Sequence, residues 1–239
     1  MTDPHFTHIA FLLDRSGSMQ SIRDDTVGGF EAFVAEQREQ PGRCTVSLAQ
    51  FDNDYEEVYV DVPVREVPPL QLVPRGSTAL VDAIGRLVNA TGARLAELPE
   101  DRRPGTVIVG IMTDGLENAS REFTRPQIKA MITTQTDTYG WQFMYLGANQ
   151  DAVEVGTSLG VDPGMAVTYS VGAVDAAMRT YGRKAAGLRA AAAAGMAPQQ
   201  ARAMHAYTAD ERAASAPDAG PGTTPGVPAA TRRAGRRRG

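Results

Sequence analysis

The sequence predicts an α/β fold: a doubly wound, mostly parallel six-stranded sheet with one antiparallel edge strand and helices on both faces. Three observations predict it. Short segments such as "HIAFLLD" (8–14) and "TVIVGIMTD" (106–114) are apolar almost throughout, as strands covered on both faces must be. Longer segments between them carry apolar residues at helical spacing. The two kinds alternate as strand, helix, strand, strand, then helix and strand in turn to a final helix, the order that crossover connections give a parallel sheet.

Each element has its own signal. After the first strand, "DDTVGGFEAFVAEQREQPG" places Val27, Phe30, Val34 and Gln37 on one helical face, and Pro41-Gly42 stops it. "TVSLAQF" (45–51) and "YEEVYVDVPV" (55–64) flank the turn residues "DND" and read as a hairpin. The next helix carries Leu80, Ile84, Leu87, Leu95 and Leu98 and ends at Pro99. Past strand 106–114, Thr124 and Gln127 form a capping-box pattern before a helix with Ile128, Met131 and Ile132 inward. "WQFMYLGAN" (141–149) is a strand, a short helix starts at Asp151, and "MAVTYS" (165–170) is the last strand. The closing helix has a stripe at Val174, Met178, Tyr181, Ala185 and Leu188. These elements bound one domain at 6–192. Residues 193–239, rich in Ala, Pro, Gly and Arg, are expected to be a tail, partly helical and then disordered.

Charge and cysteine content exclude several functions. The chain has 239 residues and a net charge of −4, but the first 200 residues hold 25 acidic against 17 basic side chains. That balance disfavours a nucleic-acid surface and suits a cation. A single cysteine, Cys44, excludes an internal disulfide and a thiolate metal cage, and is expected as a buried thiol. His5, His8 and His205 lack the spacing of zinc ligands. No apolar run approaches the ~20 residues of a membrane span, and "MTDPHFTH" is not a signal peptide. A cytoplasmic setting is the expectation.

The chemistry gathers at strand ends. "DRSGS" puts the oxygens of Asp14, Ser16 and Ser18 at alternate positions directly after a buried strand. In an open α/β sheet, sites form at the carboxyl ends of strands where the strand order reverses. Strands 8–14 and 106–114 would bring Asp14 and Asp114 to one crevice, within reach of Ser77 and Thr78 in "PRGSTAL". Carboxylates and hydroxyls without sulfur or imidazole suit a hard divalent ion.

These residues resemble a known family. "DRSGS" matches the D-x-S-x-S of the metal-ion-dependent adhesion site (MIDAS), "GSTAL" supplies its threonine and "TDG" its aspartate, in the right order. Residues from about 6 to 190 look like a von Willebrand factor type A (VWA) domain of the intracellular bacterial kind, with its Rossmann-like sheet. The resemblance implies a metal site of Asp14, Ser16, Ser18, Thr78 and Asp114. Its ion would be Mg2+, with Mn2+ or Ca2+ as alternatives, and would keep a coordination position open for a carboxylate from an Asp or Glu of a protein partner. The implied function is a non-enzymatic, metal-dependent protein-binding module, here a cytoplasmic adaptor.

Other classes have weaker support. A metal-assisted phosphohydrolase of the dehalogenase kind would carry a second Asp two residues after the first, where this chain has Ser16. A scaffold with a vestigial metal site is a third reading. No histidine follows the site strands to complete a Ser-His-Asp set, and no phosphate-binding glycine motif occurs. Outside the five candidate ligands, Asp82 falls in the first turn of a helix and complements its dipole. Asp52 and Asp54 are turn residues, on the rim of the site if strand 45–51 adjoins strand 8–14. Glu117, Asn118 and Asn149 follow strands pointing the same way and are candidates for partner contact or ligand support. Trp141 is expected to pack at the opposite edge, and the arginines at 232–238 to form a solvated end.

Overall fold

A computed structural model of the chain describes residues 2–148 and 151–217. Its central strand β1 (Asp3–Asp14) runs parallel to β2 (Arg43–Phe51) on one side and to β4 (Pro104–Thr113) on the other. The hairpin partner β3 (Tyr55–Pro63) is the antiparallel edge, and β5 (Gln142–Ala148) and β6 (Ala166–Tyr169) extend the other side in parallel. The order β3-β2-β1-β4-β5-β6 is the six-stranded, mostly parallel sheet the sequence predicts. Strand order reverses between β1 and β4. Leu13 pairs with Met112, so Asp14 and Thr113 end side by side at that reversal.

The helices are α1 (Arg23–Glu39), α2 (Leu80–Glu97), α3 (Arg125–Tyr139), α4 (Ala152–Ser158) and α5 (Val174–Ala193). α1 and α5 pack on each other over β1, and α2 and α3 pack on each other with α2 on β1 and α3 on β5. Under α1 and α5 the core is aromatic. Phe11 meets Phe30 edge-on at 5.3 Å and Tyr181 at 5.6 Å, while Phe33 lies 5.0 Å from Tyr181. Edge-to-face pairs of this kind add ~1 kcal/mol beyond the area they bury. The sheet makes room for Tyr181 at Gly110, where a Cβ would stand 2.1 Å from the phenol oxygen. Thr124 and Gln127 form the predicted capping box of α3. Cys44 is buried, and burial pushes its thiol up to about 11.

Two expectations are corrected. On α1 the buried face is Thr26, Phe30, Phe33, Val34 and Gln37, with Val27 only half-buried, because α5 covers a wider stripe than the four-residue pattern allowed. Past residue 193 the chain is partly helical, as expected, but its helices are packed and not a free tail. It forms α6 (Pro198–Met204) and α7 (Ala209–Ser215), packed on α5 and, for α7, on β6. Tyr207, 6% exposed, lies between the Lys184 ammonium at 4.8 Å and the Arg212 guanidinium at 5.8 Å. Arg212 donates to the carbonyls of Ala166 and Pro163, and Lys184 pairs with Glu211 at 2.7 Å. Polar anchors replace an apolar stripe here, so hydrophobic periodicity carried no signal. Thr208 and Glu211 do make a capping box, and that pattern was legible. The arginines at 232–238, and Asn149, lie outside the described residues.

Candidate metal centre

Asp14 ends β1 with no exposed surface. Its Oδ1 accepts the Ser16 backbone N–H at 2.6 Å, and its Oδ2 accepts the Thr113 hydroxyl at 2.6 Å. Thr113 is itself held from below, its carbonyl accepting the Tyr169 hydroxyl at 3.1 Å. The turn that Asp14 closes carries Ser16 and Ser18 outward, with their hydroxyl oxygens 3.1 Å apart. Ser18 then donates to Oδ1 of Asp114 at 2.6 Å.

Thr78 enters from the third segment. A Cβ at Gly115 would stand 3.0 Å from Thr78 Oγ1 and 3.6 Å from Ser18 Oγ, so both hydroxyls border the space above this glycine. Thr78 is held there by Asn118, whose Oδ1 accepts the Thr78 N–H at 3.0 Å and whose N–H donates to the Thr78 carbonyl at 3.1 Å. The five predicted residues thus come together from three segments. Asp14, Ser16, Thr78 and Asp114 are buried, and Ser18 opens to solvent. Ser77 is exposed, and its N–H is bound to Asn53 Oδ1.

Several surrounding residues make contacts beyond their local reading. Asp82 accepts three backbone N–H groups, of Arg121, Glu122 and Phe123, at 2.7 to 2.9 Å, and so holds the loop after β4 on top of α2. Glu117 accepts from Val81 N–H and from the N–H groups of Ala119 and Ser120, tying the same loop to the start of α2. Asp52 is a turn residue, its Oδ1 accepting Asp54 N–H, but its Oδ2 also takes the Arg15 and Arg75 Nε–H groups. Trp141 packs at the far end of the sheet, stacked on Phe143.

Electrostatics favour a cation. Burial pushes the Asp14 carboxyl up to about 6, against the hydrogen bonds from Thr113 and Ser16, and the charge of Asp114 adds to the rise. Burial likewise raises Asp114, with the Ser18 hydroxyl opposing. Among the described residues no ion pair reaches either carboxylate; the nearby Arg15 guanidinium is taken by Asp52 and Glu56. Two buried carboxylates without a counter-charge are costly unless a cation or protons neutralise them.

The donor set fits a hard divalent ion. Every candidate atom is a carboxylate or hydroxyl oxygen, as Mg2+ and Ca2+ prefer. Cis oxygens on a magnesium ion stand about 3 Å apart, and the Ser16 and Ser18 hydroxyls already have that separation.

Known structures recognise the same architecture. The chain superposes on the von Willebrand domain of the type V pili tip protein Mfa5 from Porphyromonas gingivalis with a TM-score of 0.53, over 75% of this chain and 94% of that one, at 11% identity. It also matches von Willebrand factor type A from Catenulispora acidiphila, with a TM-score of 0.50 over 76% of this chain at 12% identity. The fold is that of a VWA domain. Proximal thread matrix protein 1 from the mussel byssus gives a TM-score of 0.50 at 14% identity over 76% of this chain. The match spans under half of the latter two proteins, 43% and 46% of their lengths. No family model and no curated protein matches the sequence.

Proposed function

We propose that this chain is a non-enzymatic, divalent-metal-dependent protein-binding module. Asp14, Ser16, Ser18, Thr78 and Asp114 would hold the ion, Mg2+ with Mn2+ or Ca2+ as alternatives. The observation that carries the reading is the convergence over Gly115, where Ser18, Thr78 and Asp114 meet from three distant segments. A bound ion supplies Lewis acidity toward an oxygen ligand from outside, and an Asp or Glu of a partner protein is the ligand of matching charge. Ser18 lies on the open side and leaves an approach for it.

The rim suits a protein partner. Leu116, two residues past Asp114, is 61% exposed. A large apolar side chain beside a charged centre favours a macromolecular surface. A phosphohydrolase reading fares worse, because Ser16 stands where the second Asp would act as acid/base. The adaptor role and cytoplasmic location belong to the same proposal. Among the described residues no helix is long and apolar enough to cross a membrane.

Calorimetric titration with Mg2+ and Mn2+ tests the reading. Wild type should give saturable heat and Asp14→Ala none; no heat from wild type rejects it in favour of a scaffold. Turnover of an aryl phosphate that is lost in Asp14→Ala would instead establish an enzyme.

A further inference from the structure

We infer that the Asp52 carboxylate is a positioning group for the metal site, joining the segment that leads to Thr78 to the turn that carries Ser16 and Ser18. This inference rests on the metal-binding reading above. The Thr78 segment is held by alternation along residues 75–79. Arg75 donates through Nε to Asp52 Oδ2 at 2.7 Å. Ser77 donates its N–H to Oδ1 of the neighbouring Asn53 at 2.9 Å. Ala79 donates its N–H to the Asp52 carbonyl at 2.9 Å. Residues 75, 77 and 79 are thereby drawn to the turn between β2 and β3. Thr78, between them, bonds the other way to Asn118 and brings its hydroxyl over Gly115.

The same carboxylate reaches the first ligand segment. Arg15, flanked by Asp14 and Ser16, donates through Nε to Asp52 Oδ2 at 3.0 Å, and its carbonyl accepts the Arg75 N–H at 2.7 Å. Asp52 is 2% exposed, and the Arg15 side chain is 7% exposed. One buried carboxylate oxygen thus joins two guanidiniums from the two segments that carry Ser16, Ser18 and Thr78. Removing its charge leaves Arg15 buried with Glu56 as its remaining anionic partner, and leaves the two segments joined only through backbone bonds such as Arg75 N–H to the Arg15 carbonyl. Groups that orient metal ligands through hydrogen bonds typically govern affinity by about tenfold or more, and Asp52 acts on the ligand segments through Arg15 and Arg75.

Mg2+ titration of folded Asp52→Asn, checked by circular dichroism, tests the inference beside two comparison variants. Asp52→Asn should bind Mg2+ about tenfold more weakly. Arg75→Ala, which cuts the exposed arm of the junction, should lose about threefold, a fraction of that effect. Glu211→Gln, which weakens the Lys184 pair between α5 and α7 away from the metal loops, should lower the melting temperature and leave the affinity unchanged. If Asp52→Asn does not fold, the Arg75→Ala affinity decides. Lower melting temperatures with unchanged affinity in Asp52→Asn and Arg75→Ala would reduce the cluster to a structural tie and overturn the inference alone. A wild type that takes up no Mg2+ overturns the metal reading and this inference with it.

Discussion

The Ser18 hydroxyl donates to Asp114 Oδ1 at 2.6 Å, across 96 residues of chain. This bond closes the gap between the turn after β1 and the loop after β4, and an ion bound by both oxygens would take its place. Ser18→Ala should therefore weaken Mg2+ binding by about tenfold to a hundredfold, and Asp114→Ala should abolish it. The check is the rise in melting temperature on adding Mg2+, which reports a stabilisation of RT ln(1 + [L]/Kd), about 2.7 kcal/mol at a hundred times Kd.

Gly115→Ala is expected to act on the site through a single methyl group. The new Cβ would stand 3.0 Å from Thr78 Oγ1, so the hydroxyl must shift by a few tenths of an ångström. Mg2+ affinity should fall while the circular dichroism spectrum stays as in wild type. Unaltered calorimetric affinity would mean that Thr78 is not a ligand.

If Asp14 is a ligand, metal binding should depend on pH. Its folded pKa of about 6 exceeds the unfolded value of 3.8. From pH 4 to 6 the folded state then holds more protons, and this group lowers stability by about 3 kcal/mol as pH rises. His8 works in the opposite sense, since burial lowers it from 6.5 to about 4 and stability from this source is lost as pH falls through that window. In the metal-free protein the two slopes offset each other. Mg2+ must displace the Asp14 proton, so its affinity should drop about tenfold per pH unit below 6. Thermal melts at pH 5 and 7.5, with and without Mg2+, should show a larger shift at the higher pH.

Tyr207→Ala tests whether α6 and α7 belong to the folded unit. Emptying the buried site between Lys184 and Arg212 should cost about 3 kcal/mol, read by urea denaturation. Mg2+ affinity should be unaffected, because the contacts of Tyr207 are with α5 and α7 and not with the metal loops.

Leu116→Ser separates partner binding from metal binding. It should leave the Mg2+ titration unaltered and weaken capture of a metal-dependent partner several-fold, measured by affinity capture with and without chelator.

Local patterns carried the fold because burial on both faces leaves a strand no polar residues, and such strands alternating with amphipathic helices have few ways to pack. The candidate ligands were legible for a similar reason: Asp14, Ser16 and Ser18 are neighbours, and Thr78 and Asp114 stand in short motifs at element ends. Asp52 and Asp82 were not legible in this way. Each looks complete locally, as a turn and as a helix-dipole partner, but their decisive contacts lie 23 to 41 residues away.

By itself, then, the sequence determined the sheet, its edge hairpin and the oxygen chemistry at its carboxyl end, since side-chain polarity and spacing are properties of short segments. Only the tertiary structure decided which way Thr78 faces, which carboxylate joins the loops, and that residues 198–216 return to α5. Those outcomes depend on hydrogen bonds and charge pairs between distant segments, and such pairs have no period along the chain.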